Sequence, residues 1–159
     1  MAKKWYGNIG NRIEEGHNYT KEPLKEGVDV TMYYWSDRTC YYITKVVDQK
    51  HIFVHRYEVC ADHSKPGGMG HQDWLYFKTI KEERQYINDC IDKGLIKGLE
   101  KEDIDSIKEN SDEEWVFRYN HWCQVFRKDM LGNTLEKPNY YKLQPVSFGV
   151  RNYYYDWEF

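Results

Sequence analysis

The chain has 159 residues, a formal net charge of −3 and an aromatic share of 17%, with fifteen Tyr and six Trp. That length supports one core rather than two large ones, and the near balance of charge excludes both the broad basic footprint usual in nucleic-acid binders and the heavy acidity of a nucleic-acid mimic. No apolar run is long enough for a membrane helix, and the opening MAKKWYGNIG lacks the apolar stretch of a signal peptide, so the expected place is the cytoplasm, away from membranes. Cys40, Cys60, Cys90 and Cys123 are scattered without a close pair, which fits reduced thiols better than a disulfide framework.

In chain order, Trp5, Ile9 and Ile13 stand four apart, with Asn8 as an N-cap and Gly16 as a stop, and predict a short N-terminal helix across one end of the fold. A polar connector containing Pro23 follows. Next come three runs rich in Val, Ile, Thr, Tyr and Phe, namely VTMYYW, TCYYITKVV and HIFVHRYEV. They are separated by Ser36-Asp37-Arg38 and Asp48-Gln49-Lys50 and read as a β-meander. Alternation in the third run places Ile52 and Val54 on one face and His51, Phe53, His55 and Tyr57 on the other. An aliphatic face on so short a meander needs cover, and the expected solution is a small antiparallel, half-open barrel of the Src-homology-3 (SH3-like) kind.

After a Gly-rich loop from Cys60 to His71, Trp74 to Phe77 alternates as a fourth strand. Thr79-Ile80-Lys81-Glu82 is a capping box opening a helix that stops at Gly94, and Ile104 and Ile107 predict a second, shorter helix from Lys101 to Glu109. Strand signals return from Glu114: Trp115 to Tyr119, Trp122 to Phe126, Tyr140 to Leu143, Val146 to Val150 and Tyr153 to Phe159, with Asp129 to Asn133 as a loop. The predicted class is therefore α+β. One domain spans 1–159, with barrel segments 24–78 and 114–159 and a two-helix insertion at 79–113.

No spacing matches a nucleophile elbow, a phosphate loop or a zinc-peptidase helix, and the expected protein is not an enzyme. Cys60, His63, His71 and Cys123 are ligand types that zinc accepts, yet a single Cys-x-x-His is a weak pattern, so no cofactor or metal is expected and a structural zinc is the minor alternative. The turn Trp35-Ser36-Asp37-Arg38, with Tyr41 beside it, joins an aromatic platform to a carboxylate and a guanidinium, and Met69, Gln72 and Trp74 add a second group of binding candidates. Arg118, Arg127, Lys128, Lys142 and Arg151 interleave with Trp122, Phe126, Tyr140 and Tyr153, which makes a nucleic-acid-binding module the rival reading.

Trp5-Tyr6-Gly7 with Asn11-Arg12 and Glu14-Glu15, Trp35-Ser36-Asp37-Arg38 followed by Tyr41, Gly68-Met69 with Gln72, and Tyr154-Tyr155-Asp156-Trp157-Glu158-Phe159 together resemble a group of small phage- and prophage-encoded proteins of Firmicutes. The resemblance covers the two ends and the central meander but not the stretch from Thr79 to Glu113. It carries no activity. It implies a context in which small proteins bind and inhibit host macromolecules, and hence an expected partner among bacterial defence proteins, as in anti-CRISPR inhibitors of an effector nuclease.

Overall fold

The computed structural model describes residues 23–64 and 73–154. The three β-type runs form β1 (Asp29–Tyr33), β2 (Arg38–Asp48) and β3 (His51–Arg56), paired antiparallel in sequence order. Past Tyr57 the chain leaves that sheet, and β4 (Glu58–Ala61) pairs with β5 (Trp74–Phe77) in a separate two-stranded ribbon. Helix α1 (Ile80–Asp92) follows and packs on both strands of the ribbon. The chain then returns to the outer edge of β3 with β6 (Glu113–Arg118), β7 (His121–Lys128) and β8 (Thr134–Lys142), and closes on the free side of β1 with β9 (Val146–Phe148). Among the described residues the large sheet thus has seven antiparallel strands in the order β8-β7-β6-β3-β2-β1-β9. Tyr119 and Asn120, both at positive φ (52° and 62°), make the two-residue turn between β6 and β7, a backbone shape whose twist matches the flanking strands.

Ile52 and Val54 are fully buried, as their alternation requires. They lie on one face with Val30, Met32, Tyr41, Ile43, Trp115, Trp122 and Val146. A flat sheet would hold β7 and β9 about 24 Å apart, five strand spacings of ~4.8 Å. Instead the rings of Trp122 on β7 and Phe148 on β9 have centroids 5.5 Å apart. The sheet therefore curls strongly and wraps this face around its own core.

Two expectations about the fold are corrected, and a third falls outside the described residues. The SH3-like half-open barrel is replaced by an open, curled seven-stranded sheet with β8 and β9 as its edges, because β2 is eleven residues long and β6, β7 and β8 extend the sheet beyond β3. The two-helix insertion holds a single α-helix. Thr79 caps α1 by accepting from the backbone N–H of Glu82, but around Ile104 and Ile107 only a three-residue 3-10 turn forms (Ile104–Ser106). Two apolar residues three apart give a 3-10 turn its one inward side and are too few to hold a longer helix. Polar ties hold that segment instead: the Asn88 amide donates to the carbonyl of Glu102 and accepts from its N–H, and Glu109 accepts from the N–H groups of Ile80 and Lys81 at the start of α1. The third expectation, the N-terminal helix from Trp5 to Gly16, lies outside the described residues. No helix among the described residues is long and apolar enough to cross a membrane.

The opposite face of β1 and β2 is sealed by the segment after β9. Thr31, fully buried, donates its hydroxyl hydrogen to the carbonyl of Val150 (2.7 Å) and accepts from the N–H of Asn152 (3.2 Å). Farther along, the Arg151 guanidinium sits over the rings of Tyr57 and Tyr76, at 5.5 and 4.4 Å. Thr31→Val keeps the shape but strips both partners of their hydrogen bond, so it is expected to cost about 1–3 kcal/mol in a urea titration and to speed hydrogen exchange at the Asn152 amide. Unchanged exchange at Asn152 would show that Thr31 does not hold this segment.

Candidate binding surface

The strand register decides which turns share an end. Tyr33 pairs with Arg38, Tyr41 with Arg56, Val54 with Glu113, and Lys128 with Thr134. The β1–β2 turn and the β7–β8 turn therefore lie at the same end of the sheet, the end where β3 finishes at Arg56. The three most exposed large hydrophobic residues among those described, Met130 (103%), Trp35 (94%) and Leu131 (87%), all lie in these two turns.

Neither turn is loose. Tyr34 donates its N–H to the carbonyl of Asp37 (2.8 Å), which closes the first turn and leaves Trp35 at its tip. In the second, one carboxylate oxygen of Asp129 accepts from the N–H groups of Leu131 and Asn133, both at 2.9 Å, while the Asp129 N–H donates to the carbonyl of Asn133. Backbone hydrogen bonds, first of all that from Asn133, hold the Asp129 carboxyl below its usual range. Gly132 takes φ of +86°, which lets the turn close behind Met130 and Leu131. The apolar tips are thus presented on fixed backbone.

Behind the first turn is a cleft of about 330 Å³ lined by Tyr34, Asp37, Arg38, Thr39, Arg56, Tyr153 and Tyr154. The predicted residues Asp37 and Arg38 meet here, and the Arg38 guanidinium lies 5.0 Å from the centre of the Tyr154 ring. Along β7 and β8 runs a larger groove of about 530 Å³, where Phe126 and Tyr141 meet edge to face (5.1 Å) between Lys128 and Lys142.

The other predicted site residues fall elsewhere. Tyr41 is corrected from a binding residue to a core residue: it is buried, stacks edge-on against Trp115 (centroids 5.0 Å apart), and burial raises its hydroxyl pKa. Trp74 is half-buried with its ring against Tyr153 (4.7 Å), so it supports one wall of the cleft. Met69, Gln72 and His71 lie outside the described residues. Of the zinc candidates, Cys60 is on β4 in the small ribbon and Cys123 on β7 in the large sheet, while the backbone N–H of His63 donates to the Tyr86 hydroxyl. Burial pushes the Cys60 thiol up to about 11. Among the described residues no three His, Cys, Asp or Glu side chains are grouped to hold a metal ion.

The fold brings a carboxylate to each of His51 and His55. His55 Nδ1 is 2.8 Å from Asp112, and His51 Nε2 is 2.7 Å from Glu114, which Arg127 also grips through two nitrogens. A nucleophile is missing from the first pair, because the Thr44 hydroxyl donates to Asp112 and not to the imidazole. These contacts tie the segment entering β6 to β2 and β3.

Glu113 is the electrostatic misfit of this end. Burial pushes its carboxyl above the usual range, while the Trp115 indole N–H (3.2 Å), Arg56 and His55 pull it back. A carboxyl that binds its proton more tightly folded than unfolded weakens the fold where it is ionised, and that penalty vanishes once pH falls below the ordinary value of 4.5. Glu113→Gln keeps the acceptor for Trp115 and is expected to raise the melting temperature at pH 7 but not at pH 4. An equal change at both pH values would place the effect in packing rather than charge.

Charge is also segregated along the chain. Residues 79–114 contain six Lys and Arg against twelve Asp and Glu, whereas residues 115–151 contain six against two. No protein-family model, curated protein or solved structure matches the chain.

Proposed function

We propose that the chain is a non-catalytic binding protein that engages a partner protein through the end of the sheet bearing Trp35, Met130 and Leu131, and antagonises that partner by occupying it. The observation that carries this reading is the near-complete exposure of those three side chains on hydrogen-bonded turns at one end of the fold. Trp and Met are enriched at protein interfaces, and a side chain held in its binding geometry loses little entropy when covered. Apolar tips flanked by Asp37 and Asp129 suit a protein surface better than a phosphate backbone.

For the partner we favour a nuclease of a bacterial defence system. The resemblance to phage-encoded proteins supplies the context, and the acidic excess of residues 79–114 complements the basic channel in which a nuclease holds its substrate. On that reading the protein acts in the cytoplasm of a bacterial host and needs no cofactor. Bacteria carrying a CRISPR effector nuclease and expressing the chain are expected to accept a plasmid that the nuclease otherwise destroys, and the purified chain to bind the purified nuclease. Continued clearance of the plasmid together with no binding to the nuclease would overturn the choice of partner.

A nucleic-acid reading has one observation of its own: the Arg118 guanidinium lies 4.0 Å over the Tyr140 ring and 4.8 Å over Tyr119, inside the basic 115–151 stretch. Retention on single-stranded oligonucleotides at low salt, falling steeply as salt is added, would favour it over the protein partner.

A further inference from the structure

The cleft behind the β1–β2 turn has the chemistry of a small-molecule site. It is lined by two guanidiniums, Arg38 and Arg56, three tyrosines and one carboxylate, Asp37, so its wall is positive by one charge. Among the described residues Arg56 is exposed at the end of β3, where its backbone pairs with Tyr41 and its guanidinium makes no close side-chain hydrogen bond or ion pair. It nevertheless acts on the hydroxyl of Tyr34, which burial raises and Arg56 lowers. Arg38 is pinned. Its backbone pairs with that of Tyr154 in both directions (2.8 and 3.3 Å), and its guanidinium carbon lies 5.0 Å from the centre of the Tyr154 ring, within cation–π range. Tyr34 contributes a ring that is 45% exposed and has no ring partner among the described residues.

We infer that this cleft binds a nucleoside monophosphate, with the phosphate held between Arg38 and Arg56 and the base laid against Tyr34. A guanidinium fork takes two oxygens at a time, and a terminal phosphate offers three to the two guanidiniums where a carboxylate offers two. The volume, about 330 Å³, falls at the small end of ligand sites and suits one nucleotide rather than a chain of them. The walls are preformed, since the turn at Tyr34, the start of β2, the end of β3 and the Tyr153–Tyr154 segment are each held by backbone hydrogen bonds. This inference goes beyond the partner-protein reading and does not depend on it, because neither Trp35 nor Met130 lines the cleft.

Calorimetric titration of the full chain at low salt with adenosine monophosphate, adenosine and inorganic phosphate tests it. The monophosphate is expected to bind at least about tenfold more tightly than either fragment. Arg56→Gln is expected to weaken it about tenfold or more, at a pH and temperature where circular dichroism shows the variant folded, since the change also removes a positive charge that offsets buried Glu113. Tyr34→Ala is expected to weaken it by a similar factor through lost stacking. Absence of binding at millimolar monophosphate, or affinity unchanged in Arg56→Gln, would overturn the site. Equal affinity for phosphate and monophosphate would overturn the nucleotide assignment.

Discussion

Replacing Trp115 with alanine is expected to remove a large share of the protein's stability. The residue is fully buried on β6, packs edge-on against Tyr41 across β3, and is the largest fully buried side chain among the described residues. Truncating a buried Trp to Ala costs about 3–5 kcal/mol, against a total stability of about 5–15 kcal/mol for ordinary proteins. For a chain of this size that is a fall in melting temperature of about 10–15 °C. The change also removes the indole N–H from Glu113, whose carboxyl is already out of its preferred surroundings. Trp115→Phe should lose less, since it keeps a ring against Tyr41. Thermal denaturation followed by circular dichroism measures both. A drop of only a degree or two for the alanine variant would mean that the core is not centred on this side chain.

The second large effect concerns binding and leaves stability alone. Trp35→Ala and the double change Met130→Ser with Leu131→Ser remove side chains that the fold scarcely covers, so each should alter unfolding free energy by no more than about 0.5 kcal/mol. If these turns form the contact surface, each change should weaken the partner complex by about 2 kcal/mol or more, which is about thirtyfold in dissociation constant. The partner is the defence nuclease proposed above, and the readouts are its titration against each variant and the loss of plasmid protection in cells. A partner that binds wild type and both variants equally would show that the contact is made elsewhere on the molecule.

The parts of this architecture that sequence makes legible are those whose cause is local. Ile52 and Val54 are the aliphatic positions of one face, set against His51, Phe53 and His55 on the other, and the strand forms with both inside. Thr79 and Glu82 spell a helix start, and α1 begins there. Curvature is not local. Nothing near Trp122 or Phe148 says that strands five places apart in the sheet will meet, because that depends on the summed twist of every strand between them. The beginning of β8 was hidden for a different reason. Thr134 to Asn139 carries Glu136, Lys137 and Pro138 on an edge strand that is mostly exposed, so it shows no alternation. The same limit applies to the site. Asp37 and Arg38 are adjacent in sequence and were readable, but Arg56, Tyr34 and Tyr154 reach the cleft only through strand pairing. Met130 and Leu131 did leave a trace, as two apolar residues inside a turn otherwise built from Asp129, Gly132 and Asn133.

The way β1 is enclosed has a consequence for synthesis on the ribosome. Its second neighbour in the sheet is β9, and the carbonyl that satisfies the Thr31 hydroxyl belongs to a residue translated 119 positions later. Until that late stretch emerges, one flank of the earliest described strand lacks its β9 mate, and the nascent chain keeps an apolar, bond-hungry edge in solution for several seconds. A chaperone that covers this edge during elongation is then expected to raise the yield of native protein.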